Sequence, residues 1–103
     1  MRRLGLPLLV TLSLIFSIGC GTVGKNFDSS RVKNIQNNKT TQTEVLDWFG
    51  VPFKEGYENG HDMWTYQLDK YNLFGELESK DLVILFDESQ VVKAYRYTSS
   101  LAE

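Results

Sequence analysis

Cysteine is almost absent from this 103-residue chain: Cys20 is the sole one, so no internal disulfide can staple the fold. Histidine is equally scarce. His61, beside Asp62 near an expected turn, is the one imidazole, and Ser29, Ser30 and Ser79 lie in other segments. A Ser-His-Asp triad assembles in space rather than in sequence order, but no nucleophile-elbow motif accompanies these residues. His61 therefore reads as a solvated turn residue. Oxygen-rich cation sites are missing as well. Calcium needs about six to eight oxygen ligands, whereas Asp87-Glu88 is a lone acidic pair in an expected hairpin turn. There is no Gly-rich phosphate loop, because Gly50-x-Pro52 punctuates a helix end, and no internal repeat. Positive charge is also short. From Cys20 onward the chain keeps all thirteen acidic residues but nine of the eleven basic ones, a balance of −4. That argues against nucleic acid as a partner, because phosphate neutralisation needs a basic surface. It also argues against a polybasic grip on anionic headgroups. Neither an enzyme, a metal site nor a free cofactor is expected.

What the chain does have is concentrated at its start. Arg2 and Arg3 precede an uncharged apolar run, Leu4 to Ile18, and Ser17-Ile18-Gly19-Cys20 closes it with small residues. This is the layout of a secretory signal peptide. The run is short for a stable bilayer span, which needs roughly 20 apolar residues. A cysteine directly after a small residue suggests a bacterial lipoprotein, in which the Cys20 thiol carries diacylglycerol and its amine an acyl chain. Leu is commonest three residues before such a cysteine, and Ser17 stands there instead. Gly21 rather than Asp after the cysteine points to the outer membrane, facing the periplasm. The expected organisation is a signal peptide over 1–19, a lipidated tether over 20–26, one domain over 27–99 and a short tail over 100–103. As a flexible segment of about six residues, the tether reaches roughly 12–15 Å.

Local signals then divide the domain. Asp28-Ser29-Ser30 followed by Val32 and Ile35 predicts a short helix over 29–36, closed by Asn37-Asn38. Thr41 and Glu44 have capping-box spacing, Val45, Trp48 and Phe49 form one apolar stripe with Leu46 at its margin, and Gly50 and Pro52 end the helix. Met63 to Leu68 alternates as a strand. Leu82 to Phe86 is a continuous apolar run, as in a central strand covered on both faces, and Val91 to Tyr97 is β-branched and aromatic. Asp87 to Gln90 reads as a hairpin turn, and 53–57 as an irregular fourth edge strand turned by Glu58-Asn59-Gly60. Helices first and strands afterwards predict a two-layer α+β sandwich. Its core should draw on Phe27, Trp48, Phe49, Phe53, Trp64, Tyr66, Phe86 and Tyr95.

The segment running Ile35, Asn38-Lys39-Thr40-Thr41, Glu44-Val45, Phe49-Gly50-x-Pro52 and Trp64-x-Tyr66 resembles the SmpA/OmlA, or BamE-like, lipoproteins. Leu82 to Phe86 with Val91-Val92 is similar to that family's last two strands. Asn38 replaces the usual glycine, and the Asp69 to Lys80 loop is longer and more apolar than a simple connection requires. The resemblance implies two short helices packed on a three-stranded antiparallel sheet. It also implies a non-catalytic, lipid-anchored accessory subunit that supports insertion of β-barrel proteins into the outer membrane, with the barrel-assembly complex as partner.

Contact residues should be apolar without a periodic reason to be buried. Tyr71, Leu73 and Phe74 in the long loop meet that description, as do Tyr95 and Tyr97 if their strand lies at an edge. The competing role for the loop is to fold over the sheet edge and protect it. Two other functions remain open on the sequence: an inhibitor-like protein-binding module of related shape, and a structural lipoprotein bridging membrane and cell wall.

Overall fold

A computed structural model describes residues 20–100. The signal peptide expected over 1–19 and the tail beyond Ser100 lie outside the described residues. The order of elements is β1 (Cys20–Gly24), a 3-10 helix (Ser29–Asn34), α1 (Gln42–Phe49), β2 (Lys54–Glu58), β3 (His61–Asn72), β4 (Gly75–Phe86) and β5 (Val92–Ser99). The fold is α+β, with one antiparallel sheet in the order β1-β3-β4-β5 and β2 also paired to β3. Among the described residues the sheet has five strands, not three or four. The additional strand is β1, where the sequence suggested a free tether. Its backbone finds partners on a distant edge, from Cys20 opposite Asn72 to Gly24 opposite Leu68. β2 takes the other half of the same β3 edge, from Lys54 opposite Thr65 to Glu58 opposite His61. Two short strands thus close one long edge that would otherwise invite pairing with another chain.

The first helix is 3-10 rather than α. Its closing bonds span three residues, with Arg31 N–H donating to the Asp28 carbonyl (3.2 Å) and Ile35 N–H to the Val32 carbonyl (3.1 Å). Asp28 caps it by accepting from the Ser30 N–H at 3.1 Å. Only Val32 within it is buried, so one turn suffices to deliver that side chain and the following Ile35 to the core. Asn38 then adopts φ 69°, and its N–H donates to the Val92 carbonyl at 2.7 Å. Val92 returns a bond to the Thr40 carbonyl at 2.8 Å, while the buried Thr40 hydroxyl accepts from Gln36 N–H. The Asn38 to Thr41 segment therefore stitches the helices to the start of β5.

α1 carries the capping box in full: Thr41 Oγ1 accepts from Glu44 N–H, and Glu44 Oε1 from Thr41 N–H, both at 3.2 Å. Gly50 ends it at φ 81° and ψ −162°, a region closed to side-chain-bearing residues. Val45 and Phe49 face the sheet and are buried, and Trp48 packs at their flank. The Tyr66 hydroxyl donates to the Gly50 carbonyl at 2.7 Å and so ties the helix end to β3. At the β2–β3 turn, Asn59 and Gly60 both take positive φ, as a two-residue hairpin demands.

The core lies on one face of the sheet. Trp64, Tyr66 and Leu68 of β3 pair with Ile84, Leu82 and Lys80 of β4; Trp64, Tyr66, Ile84 and Leu82 join the cluster with α1, the 3-10 helix and Phe27, and Leu68 is buried outside it. Burying each such large side chain is worth about 1.5–3 kcal/mol. The Leu82 to Phe86 run is therefore covered on one face only, contrary to its reading as a strand buried on both. Leu82, Ile84 and Phe86 are buried, while Val83 and Leu85 sit half-buried on the open face beside Met63 and Thr65. Phe53 and Tyr95 do not join the core: they are 41% and 37% exposed.

The Asp69 to Lys80 segment is not a loop. β3 and β4 continue through it as a hairpin with a bulge between Lys70 and Tyr71, turning at Leu73-Phe74. Side-chain bonds hold the hairpin where apolar alternation fades. Asp69 accepts from the Ser79 hydroxyl and from Gln67 Nε2, each at 2.7 Å, and Lys70 pairs with Glu78 at 3.5 Å. β1 provides a third strand to this extension.

Candidate contact surface

The two chemistry-bearing suggestions of the sequence resolve into local structure. His61 opens β3, and its Nε2 lies 3.4 Å from the Lys93 ammonium. Ammonium groups only donate, so Nε2 accepts, and the buried Nδ1 has no hydrogen-bond partner. Among the described residues no hydroxyl is bonded to this ring. Asp87 holds the β4–β5 turn, its Oδ1 accepting from Ser89 N–H (2.8 Å) and Val91 N–H (3.1 Å). Among the described residues no group of three His, Cys, Asp or Glu side chains stands close enough to hold a metal ion. Among them, too, no helix is long and apolar enough to cross a membrane.

The five proposed contact residues separate into four situations. Leu73 and Phe74 form the tip of the β3–β4 hairpin and are 76% and 96% exposed. The tip does not fold over the sheet edge, because β1 and β2 already occupy that edge. Its turn uses neither side chain: the Phe74 backbone N–H donates to Asn72 Oδ1 at 2.8 Å, and Gly75 takes φ 125°. Tyr71, just behind the tip, is half-exposed and lies over Gly21 of β1, where an added Cβ would sit 2.5 Å from its Oη. Leu77, at the bulge, adds a further exposed apolar side chain. Tyr95 and Tyr97 are two apart on the edge strand β5 and so share a face. Tyr97, opposite Leu82, turns inward and meets Phe27 edge-on, ring centroids 6.4 Å apart. Packing thus makes Tyr97 a core-flanking residue, while Tyr95, opposite Ile84, stays partly open.

Two features near these surfaces escaped the sequence. The first is Lys80, buried at the level of Leu68. Its Nζ donates to the Phe27 carbonyl at 2.7 Å and lies 4.6 Å from that ring's centre, clamping the segment after β1 onto β4. A lysine in a polar stretch carries no signal for this. The second is Gly24, at φ 86°, where β1 leaves β3: a Cβ there would overlap the Gln67 carbonyl oxygen. The close approach lets Lys25 N–H donate to that oxygen at 2.8 Å.

Electrostatics around the hairpin follow from the same bonds. The Ser79 hydroxyl, then the Gln67 amide, holds the Asp69 carboxyl below its ordinary 3.8. Burial, then the nearby Glu55, pushes the Tyr66 phenol well above its ordinary 10.0. Neither group is poised for proton transfer near neutrality. Compared with protein-family models and with curated proteins, the chain matches none.

Proposed function

We propose that the chain is a lipid-anchored envelope protein that works by binding, as an accessory subunit of the machinery that inserts β-barrel proteins into the outer membrane. The observation that carries this reading is the N-terminal layout, Arg2-Arg3, the apolar run Leu4 to Ile18, then Gly19-Cys20. The specific partner rests on the resemblance to the SmpA/OmlA, or BamE-like, lipoproteins. In support, Asn38 to Thr41, Glu44, Gly50 and Tyr66, which carry that resemblance, act together in capping α1 and joining it to β3 and β5. Of the expected contact residues, those at the apolar hairpin tip and the partly open Tyr95 on β5 stay exposed. The anchor raises the local concentration of both at the membrane, so modest contact areas suffice.

Crosslinked affinity purification of the full-length protein from native membranes, with Cys20→Ser as control, tests the reading. Recovery of a barrel-insertion complex, reduced for the control, is the expected result. Deletion should then sensitise cells to large antibiotics. Clean recovery of the lipidated protein without that complex, with an intact permeability barrier on deletion, overturns the assembly role and favours an inhibitor-like or cell-wall-bridging lipoprotein.

A further inference from the structure

The hairpin tip and the N-terminal strand end at the same place. Cys20 pairs with Asn72, the residue before Leu73, so the two backbones are about 4.5–5.5 Å apart there. Phe74 is the most exposed large apolar side chain among the described residues, and its neighbour Leu73 is exposed as well. Neither side chain makes the turn, which rests on Asn72 and Gly75. Turns ordinarily carry Gly, Asn, Asp or Ser, so two large apolar residues there lack a folding reason. Behind them Tyr71 stands opposite the charged Glu76, Leu77 bulges out one residue further back, and the Lys70–Glu78 ion pair follows at 3.5 Å. An apolar tip backed by a tyrosine and charges matches the depth profile of a membrane interface.

We propose that this tip is a membrane wedge: Leu73 and Phe74 enter the acyl-chain region of the phospholipid leaflet that holds the lipid on Cys20, and fix the domain's orientation. The proposal rests on the reading of Cys20 as the acylated residue. Anchor and wedge are rigidly coupled, because Cys20 to Gly24 is hydrogen-bonded strand rather than slack chain. Multiple acyl chains already give stable attachment; what the wedge adds is orientation. With the tip in the leaflet the sheet stands on its end. Asn72 to His61 spans eleven steps of β3, so at roughly 3.3 Å per residue the β2–β3 and β4–β5 turns lie about 35 Å from the surface. Tyr95 on β5 is then held at intermediate height, facing the aqueous side.

The test uses the full-length lipoprotein in vesicles of phosphatidylethanolamine and phosphatidylglycerol, with an environment-sensitive fluorophore at F74C or, for comparison, at E88C in the β4–β5 turn. The position-74 probe should be quenched several-fold more by acyl-chain nitroxide lipids than the position-88 probe, and be shielded from aqueous iodide. Equal iodide quenching at both positions, with no nitroxide effect at 74, overturns the wedge. So does a photocrosslink from position 74 to a protein in native membranes without lipid quenching. The L73S/F74S double variant should keep its thermal midpoint in detergent yet lose vesicle-dependent protection of amides 72–77 from exchange. Unchanged protection would assign it to something other than these two side chains and refute the wedge. Mass spectrometry of the mature protein reads the anchor separately. An unmodified Cys20 overturns the lipoprotein reading, while quenching at position 74 still decides the wedge.

Discussion

Replacing Tyr66 by Phe removes one hydroxyl and leaves every ring contact in place. The ring meets Phe49 and Phe27 at centroid distances of 5.4 and 6.0 Å, and neither contact uses the oxygen. What disappears is the 2.7 Å bond to the Gly50 carbonyl, at a helix end whose carbonyls need partners. A neutral hydrogen bond of this kind contributes about 1 kcal/mol net, and no cavity forms to add to it. For a domain of this size that corresponds to a fall in thermal midpoint of about 4–8 °C. The pH dependence gives a second, independent reading. The folded phenol is held above its ordinary 10.0, chiefly by burial, so the folded state retains a proton that the unfolded state releases. Its contribution is therefore complete below pH 10 and is lost as pH rises through the folded value. Thermal melts of wild type and Tyr66→Phe should differ at pH 7 and converge in strong alkali, where the variant has no phenol to ionise at this position. Coincident melts at neutral pH, together with identical alkaline profiles, would show that the bond carries nothing and that the helix end is held otherwise.

Three further outcomes are expected. Gly50→Val should cost about 1–3 kcal/mol, because φ 81° with ψ −162° is strained for any side chain although the space around it is open; an unchanged thermal midpoint would reject that conformation. Thr41→Ala should cost about 1 kcal/mol by opening the capping box, seen as faster amide exchange at Gln42 to Val45, and protection equal to wild type would deny the cap a role. Asp69, held below 3.8 by Ser79 and Gln67, supports the hairpin fully above that value and loses this support as pH falls through its lower folded value. Amide exchange at 69–80 should accelerate in acid for wild type, whereas Asp69→Ala should be fast already at neutral pH; parallel profiles would remove Asp69 from the hairpin's stability.

Whatever depends on residues a few positions apart was legible without coordinates. The Thr41–Glu44 box, the Gly50 stop, the Asn59-Gly60 turn and the positive φ of Asn38 are local signals, each set by sterics or by a bond within one turn of chain. The inward set of β3, with Trp64 and Tyr66, followed from periodicity, whereas the continuous run Leu82 to Phe86 did not distinguish its inward face from its open one. The contact residues were legible only as a class. Exposed apolar side chains could be named, but Tyr97 turned inward because Phe27, far away in sequence, packs edge-on against its ring.

Partnership across the chain was decided by the tertiary structure alone. Cys20 to Gly24 has a tether's composition and becomes a strand because the β3 edge offers its backbone hydrogen-bond partners far away in sequence. Pairing with β4 along the other side of β3 turns the 69–80 segment from an apparent loop into a hairpin, and the one-sided layering exposes Val83 and Leu85 within an apparently buried run. Lys80 reaches a carbonyl at Phe27 that no spacing could announce. The sequence by itself determined where the local elements stop and turn, and set out an N-terminal cysteine after an apolar run. Only the fold brought that cysteine beside Leu73 and Phe74, because strand register is a long-range pairing that neither composition nor periodicity encodes.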